Sequence, residues 1–564
     1  MRALTYKFVT IEQLQSKLDF SQPCMFDTET IGLYGKIRIA QFYQRHFDEN
    51  GIAIAYIVEN PNVYELLQLL TDLVVVGHNI HYDISTIQEN IGLHAWMPKE
   101  FHDTMLLSRL YFYTKEKFSL DEVVKYTVNE DVYGGTKKEF HKADWNVPVL
   151  SHEQLMYASI DVVYLHDVFD MIKEVIEDIN YRLDMLCLRY CLDFQQNGLP
   201  IDMERLNTVY AENMRLLEEI ALPINCNSYQ QVRPYINSSL SDDKGLALLS
   251  AQGNEKAIQV RKTRKLTKQN SFLSKFSETT RNGRIFGKFK PSARSGRTTS
   301  DDQNLQQIPR KLKGIFAIEE NGSEVLLYSD FAQIQLRAVC AVTSDTRMEA
   351  LFRAGEDLHN YVARFIFGEN FTPEERQICK TANFSLLFGA GIDVFKTVLL
   401  KDAGMFLTDE EASKIKSKWL KLWRQIAEWQ EKGAKDWRKK IPWETPLGRK
   451  YTAKMMTDQL AMQIQGFEAE VAKLALHYMV PKLTELDSRI KLVNFIHDSY
   501  MFICPNDKEL YSKACKIIAD SMQEGWQQMS QSVSIRDLPM PVKVRVGFNW
   551  GEIEKDKYIF EHQQ

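Results

Sequence analysis

The stretch K-L-V-N-F-I-H-D-S-Y-M-F-I-C, residues 491–504, holds two apolar runs, 492–496 and 500–503, with only His497, Asp498 and Ser499 between them. β-Branched and aromatic residues around so short a polar break predict a tight hairpin with one carboxylate, Asp498, at its tip. Asp and Ser also suit an ordinary turn, because their side chains bond the local backbone. A second acid at a strand end would favour the first reading, and the chain supplies one. In V-L-L-Y-S-D-F-A-Q-I-Q-L-R the apolar run 325–328 ends at Asp330.

A chain of 564 residues exceeds one core, so two to four domains are expected. Hydrophobic content of 44% and charged content of 26% place it among ordinary globular proteins and away from disordered chains. Its eight cysteines form no C-x-x-C pair, which fits free thiols in a reducing compartment better than disulfides or zinc. No apolar run reaches spanning length and residues 1–14 lack a signal-peptide pattern, so a cytoplasmic protein with no membrane contact is expected. The net charge of −5 hides an uneven distribution. Residues 261–297 carry twelve Lys/Arg (261, 262, 264, 265, 268, 275, 281, 284, 288, 290, 294, 297) against one acid, Glu278. Such a block is a candidate phosphate-backbone footprint, the alternative being a solvated basic face. Phe272, Phe276, Phe286 and Phe289 within it distinguish it from a disordered tail.

The first third reads as an α/β layer domain, with strands at 24–26, 37–43, 51–58 and 73–76 and helices at 63–70 and over much of 82–93. Acids fall where strands end. Asp27 and Glu29 in F-D-T-E-T are two apart, so an extended chain points both to one face. V-G-H-N-I-H-Y-D offers Asn79 and Asp83, and Y-A-S-I-D offers Tyr157 and Asp161 one helical turn apart. Asp103 is a further candidate of lower rank. If Asp27, Glu29, Asp83 and Asp161 converge, they would hold two Mg²⁺ ions that activate a water against a phosphodiester, with Tyr157 orienting the water.

This ordered set, D-x-E, N-x3-D and Y-x3-D, resembles the DEDD 3′→5′ exonucleases of the tyrosine-bearing subtype over roughly residues 20–175. The resemblance gives the four carboxylates the metal-ligand roles and implies a neighbouring polymerase.

Beyond a helical crossover near 165–196, F-T-P-E-E-R-Q-I-C-K-T-A-N-F-S-L-L-F-G (371–389) shows a helix start: Thr372 as N-cap, Pro373 at the first position and Glu375 completing a capping box. Gly389 and Gly391 are expected to end this helix. Arg376, Lys380, Phe384 and Phe388 recur every four residues and so share one broad stripe. Two cations and then two aromatics suit a triphosphate at one end and a base or sugar at the other. A core helix would instead turn the aromatics inward and leave the cations solvated.

Taken together, nearly the whole chain (about 20–555) resembles the DNA polymerase I family, family A. Asp330 lies in a version of D-Y-S-Q-I-E-L-R, the helix follows R-x3-K-x2-N-F-x3-Y-G, and H-D-S stands for H-D-E. D-L-H at 357–359, P-L-G-R at 446–449 and I-Q-G at 464–466 also match. The resemblance implies an α/β and α+β multidomain protein. Its RNase H-like 3′→5′ exonuclease domain (1–180) would precede a right-hand polymerase domain (181–564). Within the latter the thumb would take about 200–290, the palm about 291–350 and 441–564, and the fingers about 351–440.

The resemblance implies template-directed DNA synthesis with proofreading, on primer-template DNA and dNTPs. Each active site would use two Mg²⁺ ions, with Mn²⁺ able to substitute. Asp330 and Asp498 would hold the polymerase ions. Arg376, Lys380 and His359 would contact phosphates, with Lys380 protonating pyrophosphate, and Phe384, Phe388, Gln333 and Gln335 would complete the dNTP site. Arg297, Asn304, Arg449, Gln465 and His497 would contact DNA. A monomer working with a helicase, primase and single-strand-binding protein is expected. The exonuclease motif begins at Asp27, which leaves no room before it for a 5′-nuclease domain and suggests a compact bacteriophage-type enzyme in a host's cytoplasm.

Several positions depart from the family pattern. Ser499 replaces a Glu, so the hairpin supplies one carboxylate. Gln335 replaces the Glu that excludes a 2′-hydroxyl, and Phe388 the Tyr that pairs with it; losing both partners strands neither. Phe384 keeps the pattern's Phe, and the resemblance implies that Phe rather than Tyr there makes poor use of dideoxynucleotides. No physical reason is apparent for Ala461 or Ser385. The rival readings are an exonuclease with a silent polymerase half, a single-subunit RNA polymerase and a plain nucleic-acid-binding protein. Asp330, Arg376, Lys380 and Asp498 weigh against the first, the intact exonuclease motif set and Phe384 against the second, and the two separate acid sets against the third.

Overall fold

The apolar runs of the first third form one six-stranded sheet in the structure, a computed structural model that describes residues 2–92, 96–134, 140, 143–320 and 322–564. The chain divides into two compact units: Met1–Asn197 with Lys288–Thr299 and Gly448–Thr452, and the remainder.

In the first unit the strands are β1 (Leu4–Phe8), β2 (Pro23–Ile31), β3 (Lys36–Tyr43), β4 (Ala53–Glu59), β5 (Val74–Gly77) and β6 (Glu100–Asp103), in the order β1-β4-β3-β2-β5-β6. The edge strands β1 and β6 escaped the sequence reading; β6 has only four residues, too few for a periodic signal. β2 pairs antiparallel with β3 and parallel with β5, which puts the acid-bearing strand in the interior of the sheet. Phe26, Phe42, Ile39, Ile57 and Val76 are buried in its core, each such side chain contributing about 1.5–3 kcal/mol.

Helix α1 (His81–Ile91) follows β5, and helix α2 (His152–Ile172) packs on the sheet. A capping box fixes where α2 starts: the Ser151 hydroxyl accepts from the Gln154 N–H (3.2 Å) and the Gln154 side-chain oxygen accepts from the Ser151 N–H (2.9 Å). That start sets the rotation at which Tyr157 and Asp161 face the sheet. Helix α3 (Ile179–Phe194) stays with this unit because Tyr181, Met185, Leu188 and Leu192 join its core. The expected boundary at residue 180 therefore falls inside a helix, and the break comes after Asn197.

The second unit is built on a five-stranded antiparallel sheet. Its strands are β7 (Glu324–Phe331), β8 (Lys491–Ile496), β9 (Ser499–Pro505), β10 (Val542–Gly547) and β11 (Phe560–Gln563), in the order β8-β9-β7-β10-β11. Long helices Met456–Leu486 and Lys508–Ser530 pack together beside it. At their crossing Gly525 lies so close that a Cβ would sit 2.9 Å from the Ala475 nitrogen. The first half of the basic block, six of its twelve cations, folds into helix α4 (Glu255–Thr279), which packs on Met203–Ile220; the Asn213 amide donates to Asn270 across that contact (2.9 Å). Cys226, Val232, Ile236, Leu246, Ala257 and Val260 form a satellite core at the same end of the unit.

The hairpin forms with a tighter tip than expected. Ser499 is the first residue of β9, leaving His497 and Asp498 as the two-residue turn, with His497 at φ 56°. Among non-glycine residues His is one of the few enriched in that left-handed region.

Candidate active sites

Strand alternation directs Asp27 and Glu29 to one side of β2, and α2 delivers Asp161 to them: one ligand oxygen from each lies within 4.8 Å of the others. Asp83 is not part of that group. Its carboxylate accepts from the Thr28 N–H (3.0 Å) and hydroxyl (2.7 Å), and burial pushes its pKa up to about 7 against those bonds. Asp103, the lower-ranked candidate, is a buried N-cap that accepts from the N–H groups of Met105 (2.8 Å) and Asn79 (3.1 Å). Tyr157 is buried, and its hydroxyl pKa is raised by that burial and by the charges of Asp161, Glu29 and Asp27.

One residue of this site has no counterpart in the sequence reading. The buried Tyr133 hydroxyl donates to Asp161 Oδ1 at 2.5 Å, so the carboxylate is held from outside its helix. Nothing in the sequence around Tyr133 announces that partnership; only a buried tyrosine's need for a hydrogen-bond partner hints at it.

In the second unit, β7–β9 pairing sets Asp330 directly across from Ser499, with Asp498 one residue further into the turn. The two acids at strand ends therefore come together, and both carboxylates raise the pKa of the Tyr328 hydroxyl, whose shift is led by burial. On its other side Asp330 pairs with Lys543 of β10. Burial raises the Asp330 pKa, the Arg545 charge opposes that rise, and Glu554 adds to it. Gln333 caps helix α5 (Ile334–Thr343) at φ 55°, and half-buried Gln335 lies in its first turn.

The helix expected at 372 begins there. In α6 (Pro373–Ser385) the Thr372 hydroxyl accepts from the Glu375 N–H (3.2 Å) and the Glu375 carboxylate from the Thr372 N–H (2.8 Å). It ends at Ser385, earlier than Gly389 and Gly391 suggested, so Phe388 lies in the following turn and leaves the helical stripe. Lys380 is exposed and Phe384 is 41% exposed, so this aromatic is not core. The Arg376 guanidinium donates to Asn360 Oδ1 (2.5 Å) and Asp357 Oδ2 (2.7 Å). His359 is buried 5.7 Å from the Phe384 ring, and burial pushes its pKa down to about 4, with the Arg376 and Lys380 charges acting the same way and Asp357 opposing.

Of the expected DNA contacts, Asn304 is linked to the hairpin through Gln306: the Asn304 side chain accepts from the Gln306 N–H (3.2 Å), and the Gln306 amide donates to the Phe495 carbonyl (2.9 Å). Gln465 is half-buried on Met456–Leu486, and Arg297 lies in the segment Lys288–Thr299 of the first unit. Arg449 corrects its expectation. Its guanidinium is buried and donates twice to Asp184, at 3.0 and 2.9 Å, inside the first unit. The neighbouring loop turns at Gly296 (φ +83°), where a Cβ would press on that guanidinium at 3.1 Å. The basic block lines a cleft of about 660 Å³ with Arg261, Lys262, Lys265 and Lys268, joined by Lys311 and Lys401. Arg264 also lines the cleft, and it braces the fold by donating to the carbonyls of Cys226 (2.6 Å) and Ser241 (2.9 Å). No helix among the described residues is long and apolar enough to cross a membrane.

Comparison with known proteins matches both parts of the chain to known families. The family model for DNA polymerase family A matches residues 215–552, and that for a 3′-5′ exonuclease matches residues 7–177. DNA polymerase I of Aquifex aeolicus is 27% identical over 97% of this chain and 100% of its own length. Thermostable DNA polymerase I of Thermus aquaticus is 26% identical over 71% of this chain but only 47% of itself, so the chain spans about half of that longer relative. These relatives are bacterial and lend the bacteriophage expectation no support. In fold, the chain is similar to the polymerase domain of Pol1 from M. smegmatis in complex with DNA primer-template and dNTP. The TM-score is 0.73 at 17% identity, covering 94% of this chain and 95% of that one. The chain belongs to DNA polymerase family A and carries a 3′–5′ exonuclease domain ahead of its polymerase domain.

Proposed function

We propose that Asp330 and Asp498 are the polymerase metal ligands and that Asp27, Glu29, Asp83 and Asp161 serve the exonuclease, both sites using Mg²⁺ with Mn²⁺ able to substitute. The family assignment gives template-directed DNA synthesis with proofreading; the proposal concerns which residues perform it. The observation that carries it is the β7–β9 register, which converts two acids far apart in sequence into neighbours.

Both acid sets offer hard oxygen donors, and the spacing of the Asp27, Glu29 and Asp161 oxygens fits a divalent cation. Bound there, such ions supply Lewis acidity that favours the ionised attacking hydroxyl or water and offsets charge on the leaving oxygen. Arg376 and exposed Lys380 bind the triphosphate, and Lys380 donates a proton to the departing pyrophosphate. Arg376 exchanges its Asp357 and Asn360 bonds for phosphate oxygens. Phe384 covers the incoming sugar and base, Gln335 excludes a 2′-hydroxyl by bulk, and Gln333 and Phe388 line the same site. Arg297, Asn304, Gln465 and His497 contact primer-template, and the α4 cations follow its phosphates without reading sequence. Cytoplasmic location and work beside a helicase, a primase and a single-strand-binding protein complete the reading.

A primer-template assay with and without dNTPs tests it. Asp330→Asn should abolish extension and spare degradation, and Asp27→Ala should do the reverse. Primer extension by Asp330→Asn would sink the assignment.

A further inference from the structure

The buried environment of His359 contains a chain of hydrogen bonds that the sequence motifs do not explain. The Trp419 indole N–H donates to Asn383 Oδ1 at 2.8 Å, and Asn383 Nδ2 lies 2.9 Å from His359 Nδ1. All three side chains are buried. An indole nitrogen can only donate, so the Asn383 atom facing it must be the carbonyl oxygen. The amide nitrogen then faces the imidazole, and because that nitrogen can only donate, Nδ1 must accept. The neutral ring therefore carries its hydrogen on Nε2.

We propose that Trp419 and Asn383 are positioning residues that lock His359 as a neutral Nε2–H donor for the incoming triphosphate. The inference rests on His359 being a phosphate contact. Its chemistry follows from the surroundings. Arg376 and Lys380 already supply positive charge on the neighbouring helix, and both disfavour a third cation at His359. A neutral donor adds a directed hydrogen bond to a phosphate oxygen without that repulsion, and the ring stays neutral at pH values above its lowered pKa. The wrong tautomer would aim a lone pair at the phosphate, so the chain from Trp419 decides between attraction and repulsion at one atom. Phe384 packs 5.7 Å from the same imidazole, which limits the ring's rotation away from that orientation.

The test combines the full-length protein, its variants and two readouts. Nitrogen-15 NMR of histidine-labelled protein, with His359 assigned through His359→Gln, should show the Nε2–H tautomer in the wild type and a mixture in Trp419→Phe. Steady-state primer extension should give a wild-type KM for dNTP that is flat between pH 6 and 8. Asn383→Asp places an acceptor beside Nδ1, which draws the hydrogen there and raises the ring's pKa. Its KM should rise about tenfold as pH increases through that new pKa, the loss of one charge-assisted hydrogen bond. Unchanged primer-template affinity shows that each variant remains folded. An Nδ1–H tautomer in the wild type, or a pH-flat KM in Asn383→Asp, would overturn the proposal. If His359→Gln leaves KM unchanged, it is the phosphate contact itself that fails, whatever the tautomer.

Discussion

Removing Asp184 should cost the first unit far more than its single carboxylate suggests. Asp184 and Arg449 form a two-pronged ion pair whose side chains are 3% and 6% exposed, so water cannot replace a lost partner. Arg109 is also within electrostatic reach of Asp184, Arg449 and Arg294, and burial already lowers its pKa. Without Asp184 these guanidinium groups repel one another in a desolvated space. Breaking one side of such a pair costs about 3–5 kcal/mol, whereas replacing both partners with apolar side chains of similar volume is close to neutral. Asp184→Leu should therefore lose about 3–5 kcal/mol, and Asp184→Leu with Arg449→Met should recover to within roughly 1 kcal/mol of the wild type.

Native-state hydrogen exchange in Ile179–Phe194 and Gly448–Thr452 reads this directly, without treating a two-unit chain as two-state. Primer-template binding supplies the second half of the test. An internal Arg449 leaves the affinity of the double variant at the wild-type value, while a DNA-contacting Arg449 makes the double variant weaker than Asp184→Leu and lowers its salt slope by about one ion. A cost below about 1 kcal/mol for Asp184→Leu, or a double variant as unstable as the sum of its parts, would refute the buried-pair reasoning.

Three further outcomes are expected. His359 has its folded pKa depressed from 6.5 to about 4, so its contribution to stability is present above the ordinary value and lost as pH falls through that window. The loss amounts to about 3 kcal/mol between pH 6.5 and 4, and His359→Gln should show a correspondingly shallower acid loss in denaturant titrations of the polymerase unit. Tyr133→Phe removes the bond to Asp161 and should raise the Mg²⁺ concentration that half-saturates degradation roughly 10–100-fold, with primer extension unchanged; an unmoved metal dependence would contradict the positioning role. Phe384→Tyr, a change at a 41%-exposed position on α6, should increase dideoxynucleotide incorporation in a chain-termination assay, and an unchanged ratio would contradict the dNTP-site assignment.

What the sequence made legible was local. The hairpin, the capping box at Thr372 and the strand-end acids each announce themselves within a dozen residues, because propensity, capping and alternation are short-range rules. The pairs that tune those residues are long-range and carry no period. Asn383 and Trp419 are 36 residues apart, Tyr133 and Asp161 are 28 apart, and Asp184 and Arg449 are 265 apart. Arg449 misled for the same reason. An arginine in a nucleic-acid enzyme looks like a phosphate ligand until a buried aspartate from another part of the chain claims it. Asp83 was legible as an acid but not as one bound to Thr28, since that bond depends on how α1 docks against β2.

Ser499 shows how a departure from a motif can be judged from register. It lies directly across from Asp330, so the two side chains leave the same face of the sheet. A glutamate there would set a carboxylate beside one whose pKa burial has already raised, and like charges at that distance raise it further. Serine brings no charge. Its hydroxyl donates to the Ile496 carbonyl at 3.1 Å, across the turn where His497 holds φ 56°, a conformation that costs a non-glycine residue on the order of 1 kcal/mol or more. Ser499 thus helps hold the turn that carries Asp498 while sparing Asp330 a repulsive neighbour. The backbone pairing through Ser499 still brings both aspartates to one end of the sheet.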